Sequence, residues 1–161
     1  MITIRKALPA DREAVLKIIR EVISRGDTFA YDPDTSRETL LHEWFADNRY
    51  TYVALEDQEI AGTFFFKANQ PGLGNHIANA GYMTAPQKAG RGVGRAMCEY
   101  SLAEAKRLGF TAMQFNLVVK SNAAAVHLWK KMGFTVIGEI PEAYRHRRLG
   151  LTNAYIMYKK L

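Results

Sequence analysis

A glycine-rich segment in the middle of the chain has residue types that bind anionic groups. Glycines stand at positions 90, 92 and 94, with Arg91 and Arg95 beside them. Because glycine lacks a Cβ atom, backbone N–H groups can converge on an anion, and a following helix start adds positive potential. The segment Gly90–Gly94 therefore predicts a pyrophosphate site, although a tight turn without a ligand would show the same pattern.

Two familiar nucleotide-binding patterns do not fit this segment. A P-loop requires a Lys-Ser or Lys-Thr pair after its last glycine, and none follows here. A dinucleotide-binding fold places its glycines after the first strand, with an acidic residue about 20 residues later. Here the glycines follow a predicted antiparallel meander midway along the chain, so a different pyrophosphate compound is favoured.

A second segment, Ser121–Phe134, places three informative residues on one helix face. Asn122, Ala125 and Trp129 stand at positions i, i+3 and i+7 of a predicted helix. An asparagine at a helix start can cap the helix, and it can also present its amide to a neighbouring ligand. Capping and core packing alone would explain the same residues, so both interpretations stay open.

The elements that must position these segments form a mixed order. The patterns predict a strand, two helices, a three-stranded meander, a helix, a strand, a helix and two strands. The predicted strands span residues 2–6, 50–56, 60–67, 77–84, 112–119, 134–139 and 153–158, and a basic loop spans 141–150. This order predicts an α+β (mixed α/β) fold, and no linker interrupts it, so residues 1–161 are expected to form a single domain.

Composition narrows the class of protein. The net charge is +6, without a nucleic-acid motif, which favours a small anionic ligand over nucleic acid. No apolar run is long enough for a membrane span, and the N-terminus lacks a signal pattern, so we expect no membrane partner and a cytoplasmic location. The single cysteine, Cys98, fits a buried apolar position, and the four histidines lack metal-ligand spacing, so no metal is expected.

Together the two segments resemble the GNAT superfamily of acetyl-CoA-dependent N-acetyltransferases. The first resembles its pyrophosphate-binding signature, arginine or glutamine, two residues and Gly-x-Gly, with Ala89 taken as the position of the arginine or glutamine. The second resembles its pattern of asparagine, alanine, aromatic and Gly-Phe, which here is Asn122, Ala125, Trp129 and Gly133-Phe134. The predicted element order matches the family from Ile2 to Tyr158.

The resemblance implies a central, mostly antiparallel sheet of six to seven strands flanked by about four helices. It also implies a V-shaped splay between the strands at 77–84 and 112–119, where the pantetheine arm of acetyl-CoA would add like a further strand. The cofactor-binding residues that it implies are Met83, Thr84, Ala85, Gly90, Arg91, Gly92, Val93, Gly94, Arg95, Asn122 and Trp129.

The implied chemistry is direct attack of a neutral amine on the thioester through a tetrahedral intermediate. An alkylammonium with a pKa of about 10.4 must first lose a proton, and Asp32, Tyr31 and Tyr82 are candidate bases. Tyr144 or solvent is a candidate proton source. Many family members carry at position 129 a tyrosine that protonates the departing thiolate, whereas the indole of Trp129 cannot release its proton at neutral pH.

Residues that would flank an acceptor amine suggest a small substrate. Aromatic side chains with a nearby arginine suit an amine that also carries a carboxylate, such as an amino acid or its analogue. The candidate substrate-binding residues are Phe29, Tyr31, Asn116 and Arg145, although Asn116 fits the sheet surface equally well. Two other functions stay open: acetylation of a protein N-terminus or lysine, and CoA binding without catalysis. A homodimer is one expected oligomeric state.

Overall fold

A computed structural model describes all residues, Met1–Leu161, and contains seven strands and four α-helices. The strands are β1 (Ile2–Lys6), β2 (Tyr50–Glu56), β3 (Glu59–Ala68), β4 (Ile77–Thr84), β5 (Ala112–Val119), β6 (Thr135–His146) and β7 (Gly150–Lys160). The helices are α1 (Arg12–Ile23), α2 (Arg37–Trp44), α3 (Val93–Arg107) and α4 (Ala123–Lys131). None of these helices is both long and apolar enough to cross a bilayer.

All seven strands form one sheet in the order β1-β2-β3-β4-β5-β7-β6. Every neighbouring pair is antiparallel except β4 and β5, which run parallel. The predicted α+β fold, with a mixed and mostly antiparallel sheet and four helices, is confirmed.

The parallel contact between β4 and β5 is short. Only Ile77–Asn79 pair with Ala112–Gln114, and the remaining parts of the two strands have no mutual pairing. The predicted splay between the strands at 77–84 and 112–119 is therefore confirmed. Its consequence is that the second half of β4 has no strand partner on the β5 side, which leaves backbone groups available to a ligand.

Alternating side chains of β3 build a core on each face of the sheet. Phe64 and Phe66 pack into the core that α3 covers, whereas Phe65 belongs to the core beneath α1 and α2. Cys98 of α3 is fully buried in the first core, in agreement with its sequence context. A Cβ on Gly62 of β3 would lie 2.9 Å from Val93 of α3, so this glycine lets the start of α3 approach the sheet closely.

One sequence prediction about the C-terminal third is wrong. The pattern predicts a basic loop over residues 141–150, but β6 continues to His146 and β7 begins at Gly150. Pro141 lacks an N–H donor, and the hairpin accommodates it with an irregular register between Ile140 and Tyr144. Glu142 has a φ of 52° within this bulge. Because the hairpin is longer than predicted, its turn lies against the residues that follow α1.

An ion pair ties β1 to the turn before α1 and gives a pH-dependent prediction. Two Arg5 N–H groups donate to the carboxylate of Asp11 at 2.7 and 3.0 Å, and this contact lowers the pKa of Asp11 despite its burial. The pKa of Asp11 in the folded protein lies below its value of about 3.9 in the unfolded chain. The ion pair therefore stabilises the fold fully above pH 3.9 or so, about the unfolded pKa, and this stabilisation is lost as the pH falls through the folded-state pKa. Asp11→Asn should lower the free energy of unfolding by about 1–2 kcal/mol at neutral pH, since Arg5 is partly exposed.

Urea unfolding of both proteins across the acidic range measures this effect. The difference between the wild type and Asp11→Asn should shrink as pH falls below about 4, where the carboxylate of the unfolded chain becomes protonated. A difference that stays constant over the whole range would show that the Asp11 charge contributes nothing.

Candidate functional site

A cavity of about 650 Å³ lies where the sheet splays open. Its walls include Ala80–Thr84 of β4, Leu117–Val119 of β5, the start of α3 and the inner face of α4. A fifth wall comes from the connection after α1. The cavity thus joins the two segments that the sequence singled out, because it runs along the unpaired part of β4 between the starts of α3 and α4.

The glycine-rich segment forms the entry to α3. Gly90 and Gly92 have φ angles of +76° and +84°, a left-handed conformation that side chains disfavour. A Cβ at either position would meet no protein atom within 4 Å, so the glycines shape the backbone without being required for internal packing. The absence of Cβ atoms also leaves the backbone open to a ligand.

The first helical N–H groups after this segment can bind an anion. The first closing bond of α3 runs from the N–H of Ala96 to the carbonyl of Gly92 at 3.0 Å. The N–H groups of the three preceding residues, Val93–Arg95, therefore have no helical acceptor, and all three residues line the cavity. This arrangement suits the pyrophosphate that the sequence predicted.

Ion pairs fix the cations around the helix start. Arg91 and Lys88 both contact the carboxylate of Glu56, at 3.2 and 2.9 Å, and Lys88 is the main cause of the lowered pKa of Glu56. Arg95 pairs with Glu99 at 2.8 Å and lines the cavity, whereas Arg91 does not. The positive potential at this end of the cavity thus comes from Arg95 and the helix start, with Arg91 directed to the end of β2.

The prediction that Ala89 takes the place of the arginine or glutamine of the signature is wrong. The signature has two residues between that side chain and its first glycine, which is Gly90, so Gln87 occupies the position. The chain therefore has the expected polar residue. Gln87 is exposed in the short 3-10 turn between β4 and α3, and Ala89 lies on the cavity wall.

The end of β4 supplies the backbone along which an extended ligand arm would lie. Met83 and Thr84 line the cavity, and both pair with β3 on their other side. Ala85 does not line it, and its N–H donates to the carbonyl of Ala61 at 2.8 Å. Of the three implied pantetheine-contacting residues, two are thus placed at the cavity.

The start of α4 faces the same cavity. The side-chain oxygen of Asn122 accepts from the N–H of Ala125 at 3.3 Å, so Asn122 caps the helix, and it also lines the cavity. The Trp129 ring lies on the same wall with its centroid 5.0 Å from those of Tyr82 and Phe115. Both interpretations of Asn122, capping and exposure to a ligand, are therefore compatible with the structure.

The three candidate catalytic residues lie in different places. Tyr82 lines the cavity, but its hydroxyl is 2.6 Å from the Ser101 hydroxyl, and burial raises its pKa well above the usual range. Asp32 is exposed outside the cavity and accepts from the N–H of Asp34 at 2.8 Å. Tyr144 is buried, also away from the lining, and its hydroxyl donates to the carbonyl of Phe29 at 3.1 Å.

The candidate substrate-binding residues divide in the same way. Phe29 lines the cavity, and Tyr31 stacks on it from outside at 6.0 Å between ring centroids. Asn116 is exposed and donates to Asn69 at 2.7 Å, and Arg145 is exposed on β6. The structure therefore brings only Phe29 of this group to the cavity, and the roles of the others stay predictions.

Among the cavity residues that the sequence did not single out, three are polar and follow α1. Arg25, Asp27 and Thr28 line the wall that follows α1, next to Phe29. The sequence marks residues 27–33 as aromatic-rich and unlike a plain connection, but it does not single out these three side chains as cavity residues. No cluster of three or more histidine, cysteine, aspartate or glutamate side chains is arranged to hold a metal ion.

Comparison with known proteins identifies relatives of this chain. The model of the acetyltransferase (GNAT) family matches residues 16–134. N-acetyltransferase aca1 of Schizosaccharomyces pombe is 37% identical over 98 residues, which cover 60% of this chain and 47% of that protein. The 5-NmdU N-acetyltransferase of Pseudomonas phage PaMx11 is 26% identical over 140 residues, which cover 86% of this chain and 91% of that protein. The chain thus spans less than half the length of aca1.

Solved structures show the same architecture. A GCN5-related N-acetyltransferase from Kribbella flavida superposes with a TM-score of 0.94 at 40% identity, covering 99% of this chain and 98% of that one. The fold of yncA from Salmonella typhimurium, solved with acetyl-CoA, matches with a TM-score of 0.87 at 23% identity over 100% of this chain and 94% of that one. The chain belongs to the GNAT family of acetyltransferases.

Proposed function

We propose that residues 1–161 act as a single domain that transfers the acetyl group of acetyl-CoA to the primary or secondary amine of a small molecule, such as an amino acid or its analogue. The observation that carries this proposal is the cavity itself. It connects an anion-binding helix start at one end with aromatic and charged side chains at the other, within one enclosure between the splayed strands.

The residues present fit acetyl-CoA. Val93–Arg95 would hold the pyrophosphate with their N–H groups and Arg95 with its charge, because both lie on the cavity wall. Met83 and Thr84 would bind the pantetheine arm through the unpaired edge of β4, and Asn122 would contact it from the other wall. Bound there, acetyl-CoA supplies the activated acetyl thioester.

The acceptor end of the cavity favours a small molecule. Phe29 and its neighbours form this end, and the β6–β7 turn is tied to the same connection because the N–H of Arg147 donates to the carbonyl of Gly26 at 2.9 Å. A cavity of about 650 Å³ between splayed strands admits a compact amine more readily than a folded protein chain. For the oligomeric state, the exposed side chains of Val136 and Ile137 on the edge strand β6 favour a homodimer.

Trp129 cannot release a proton at neutral pH, so other groups must carry the protons of the reaction. The indole packs against Tyr82 and Phe115, and its N–H can donate a hydrogen bond but cannot ionise at neutral pH. Tyr82 holds its proton firmly, since burial raises its pKa, and its hydroxyl is engaged with Ser101. We infer that protons enter and leave the cavity through water, and that the Tyr82 ring orients the neighbouring side chains of the cavity.

Replacing Trp129 by phenylalanine tests this inference. Trp129→Phe keeps an aromatic ring beside Tyr82 but removes the indole N–H together with part of the bicyclic ring, so kcat should remain within about fivefold of the wild type if the N–H has no chemical role. Steady-state rates and urea unfolding would be measured together. A collapse of kcat at unchanged unfolding free energy would assign the indole a direct chemical role.

Thiol release from acetyl-CoA across a panel of acceptors tests the proposed function. The panel contains free amino acids, their amides, simple alkylamines and short peptides. Turnover with free amino acids or alkylamines is the expected result. Turnover with peptides alone would favour a protein acetyltransferase, and CoA binding without any turnover would favour a regulatory module.

A further inference from the structure

Asp27 carries a buried oxygen that accepts no hydrogen bond from the protein. Its Oδ1 atom is shielded from solvent and has no hydrogen-bond partner, although Asp27 lies on the cavity wall. One other buried side-chain atom, Nη1 of Arg49, also lacks a hydrogen bond, but the Arg49 guanidinium lies 3.9 Å from the centre of the Phe65 ring. A buried carboxylate oxygen without a hydrogen bond is costly, so this side chain on the cavity wall has acceptor capacity that a ligand can use.

The segment around Asp27 is held firmly by distant parts of the chain. Gly26 has a φ of +61°, and its carbonyl accepts from the N–H of Arg147 at 2.9 Å. Two residues after Asp27, the carbonyl of Phe29 accepts from the hydroxyl of Tyr144 at 3.1 Å. Both donors belong to the β6–β7 hairpin. The carboxylate is therefore presented from a backbone fixed on both sides, as a recognition residue requires.

The same segment lies against the part of β4 where acetyl transfer is proposed. A Cβ on Gly81 would lie 3.3 Å from the Phe29 ring, so Phe29 touches β4 next to Tyr82 and two residues from Met83. The side chains of residues 27–29 thus lie at the end of the cavity where the acceptor is proposed to bind. A group bound at Asp27 would be near the strand that is proposed to hold the reactive end of acetyl-CoA.

The charge of Asp27 selects the ligand. Asp27 takes part in none of the ion pairs within the protein, whose acidic members are Asp11, Glu13, Glu56, Glu59, Glu99, Glu104 and Glu139. An anion would be repelled by it, and a neutral apolar group would leave its oxygen without a hydrogen bond. A cationic N–H donor satisfies both the charge and the hydrogen-bonding capacity of the carboxylate.

We propose that Asp27 binds the ammonium group of the acceptor and so makes the enzyme selective for amines that arrive protonated. This inference rests on the proposed function, because it assumes that a small amine enters the cavity. It adds a recognition residue at the acceptor end. Binding by Asp27 brings the cation to the splay, where the amine must lose its proton to water before it reacts.

The variant Asp27→Asn removes the charge while keeping the shape of the side chain. With the free amino acid or alkylamine that the wild type acetylates fastest, the KM for the amine should rise about tenfold or more, because charge-assisted hydrogen bonds are lost. The KM for acetyl-CoA should stay within about twofold. The matched control is Asp34→Asn, an exposed aspartate of the same connection, which should leave both constants unchanged.

Two further measurements separate recognition from a structural role. Aniline, which is neutral at pH 7, should lose no more than about twofold in kcat/KM with Asp27→Asn if the wild type accepts it, and Asp27→Glu should recover part of the affinity for the protonated amine. Thermal unfolding should show Asp27→Asn at least as stable as the wild type, since no ion pair within the protein depends on this carboxylate and one of its oxygens accepts no hydrogen bond. An unchanged amine KM in Asp27→Asn, or an equal loss in Asp34→Asn, would overturn the proposal. Failure of the wild type with every amine would instead refute the proposed function.

Discussion

Replacing Gly92 by glutamate is expected to abolish acetyl-CoA binding, weakening it by about a hundredfold or more. Gly92 is the residue before the first turn of α3, and its position is open on the cavity side because a Cβ added there would have no protein atom within 4 Å. A carboxylate there would repel the pyrophosphate and occupy the positive end of the helix. Equilibrium binding of acetyl-CoA by calorimetry measures the loss.

Gly109 offers a matched control for this substitution. It follows the other end of α3, has a φ of +96°, and a Cβ added to it would also meet no protein atom within 4 Å. Gly109→Glu therefore introduces the same charge and a similar backbone strain of about 1–3 kcal/mol away from the cavity. It should bind acetyl-CoA normally. Normal binding by a folded Gly92→Glu protein would contradict the pyrophosphate assignment.

Truncation of Trp44 is expected to cause the largest loss of stability. Trp44 is fully buried, its indole N–H donates to the Thr63 hydroxyl at 3.0 Å, and its ring meets that of Phe65 edge-on at 4.9 Å. Trp44→Ala should reduce the free energy of unfolding by about 3–5 kcal/mol, since it removes a large side chain from a core that cannot collapse fully. Urea unfolding gives this value directly.

The same substitution should also affect the acceptor end of the cavity. Phe29 lies 6.0 Å from Trp44 between ring centroids, so the loss of the indole removes support beneath the segment that carries Asp27. Trp44→Phe serves as the control because it keeps an aromatic ring in the core and loses the hydrogen bond to Thr63 with only part of the indole. It should cost roughly 1–2 kcal/mol. A loss below about 1 kcal/mol in Trp44→Ala would show that α2 is not anchored through this residue.

The parts of the site that lie within one continuous segment could be predicted from the sequence. The conformation of Gly90–Gly94 and the start of the helix after it depend on local backbone preferences and on the unpaired N–H groups of a helix end. A short stretch of sequence is enough to predict both features. The cap at Asn122 is equally local. The strands β4 and β5 were predicted with their observed bounds because their apolar patterns end at clear turn residues.

At the acceptor end the sequence pointed to Phe29, but the place of Asp27 could not be predicted because distant contacts create it. Asp27 reaches the cavity wall in a segment that the β6–β7 hairpin fixes through Arg147 and Tyr144, more than a hundred residues along the chain. The sequence instead pointed to Asp32, whose side chain is used in the turn before α2. The aromatic composition of residues 27–33 marks an unusual connection, but it does not show which of its carboxylates lies at the cavity.

Irregular strand register explains two further differences. Asn116 falls within a register shift of β5 between Phe115 and Val118, and it is exposed beside Asn69 instead of lying on the cavity wall. Pro141 is typical of the start of a loop, but the bulge in β6 accommodates it, and the strand continues to His146. Bulges of this kind depend on the partner strand, which a single sequence does not reveal.

The proposal that the acceptor is a small amine is tested most directly by comparing the same amine in a free amino acid and at the start of a peptide. The free amino acid with the highest rate and a short peptide that begins with the same residue are each incubated with the enzyme and acetyl-CoA, and the products are identified by mass. We predict that the free amino acid gains one acetyl group with a kcat/KM at least about tenfold above that of the peptide. Acetylation of the peptide at the higher rate, or of neither molecule, would contradict the account.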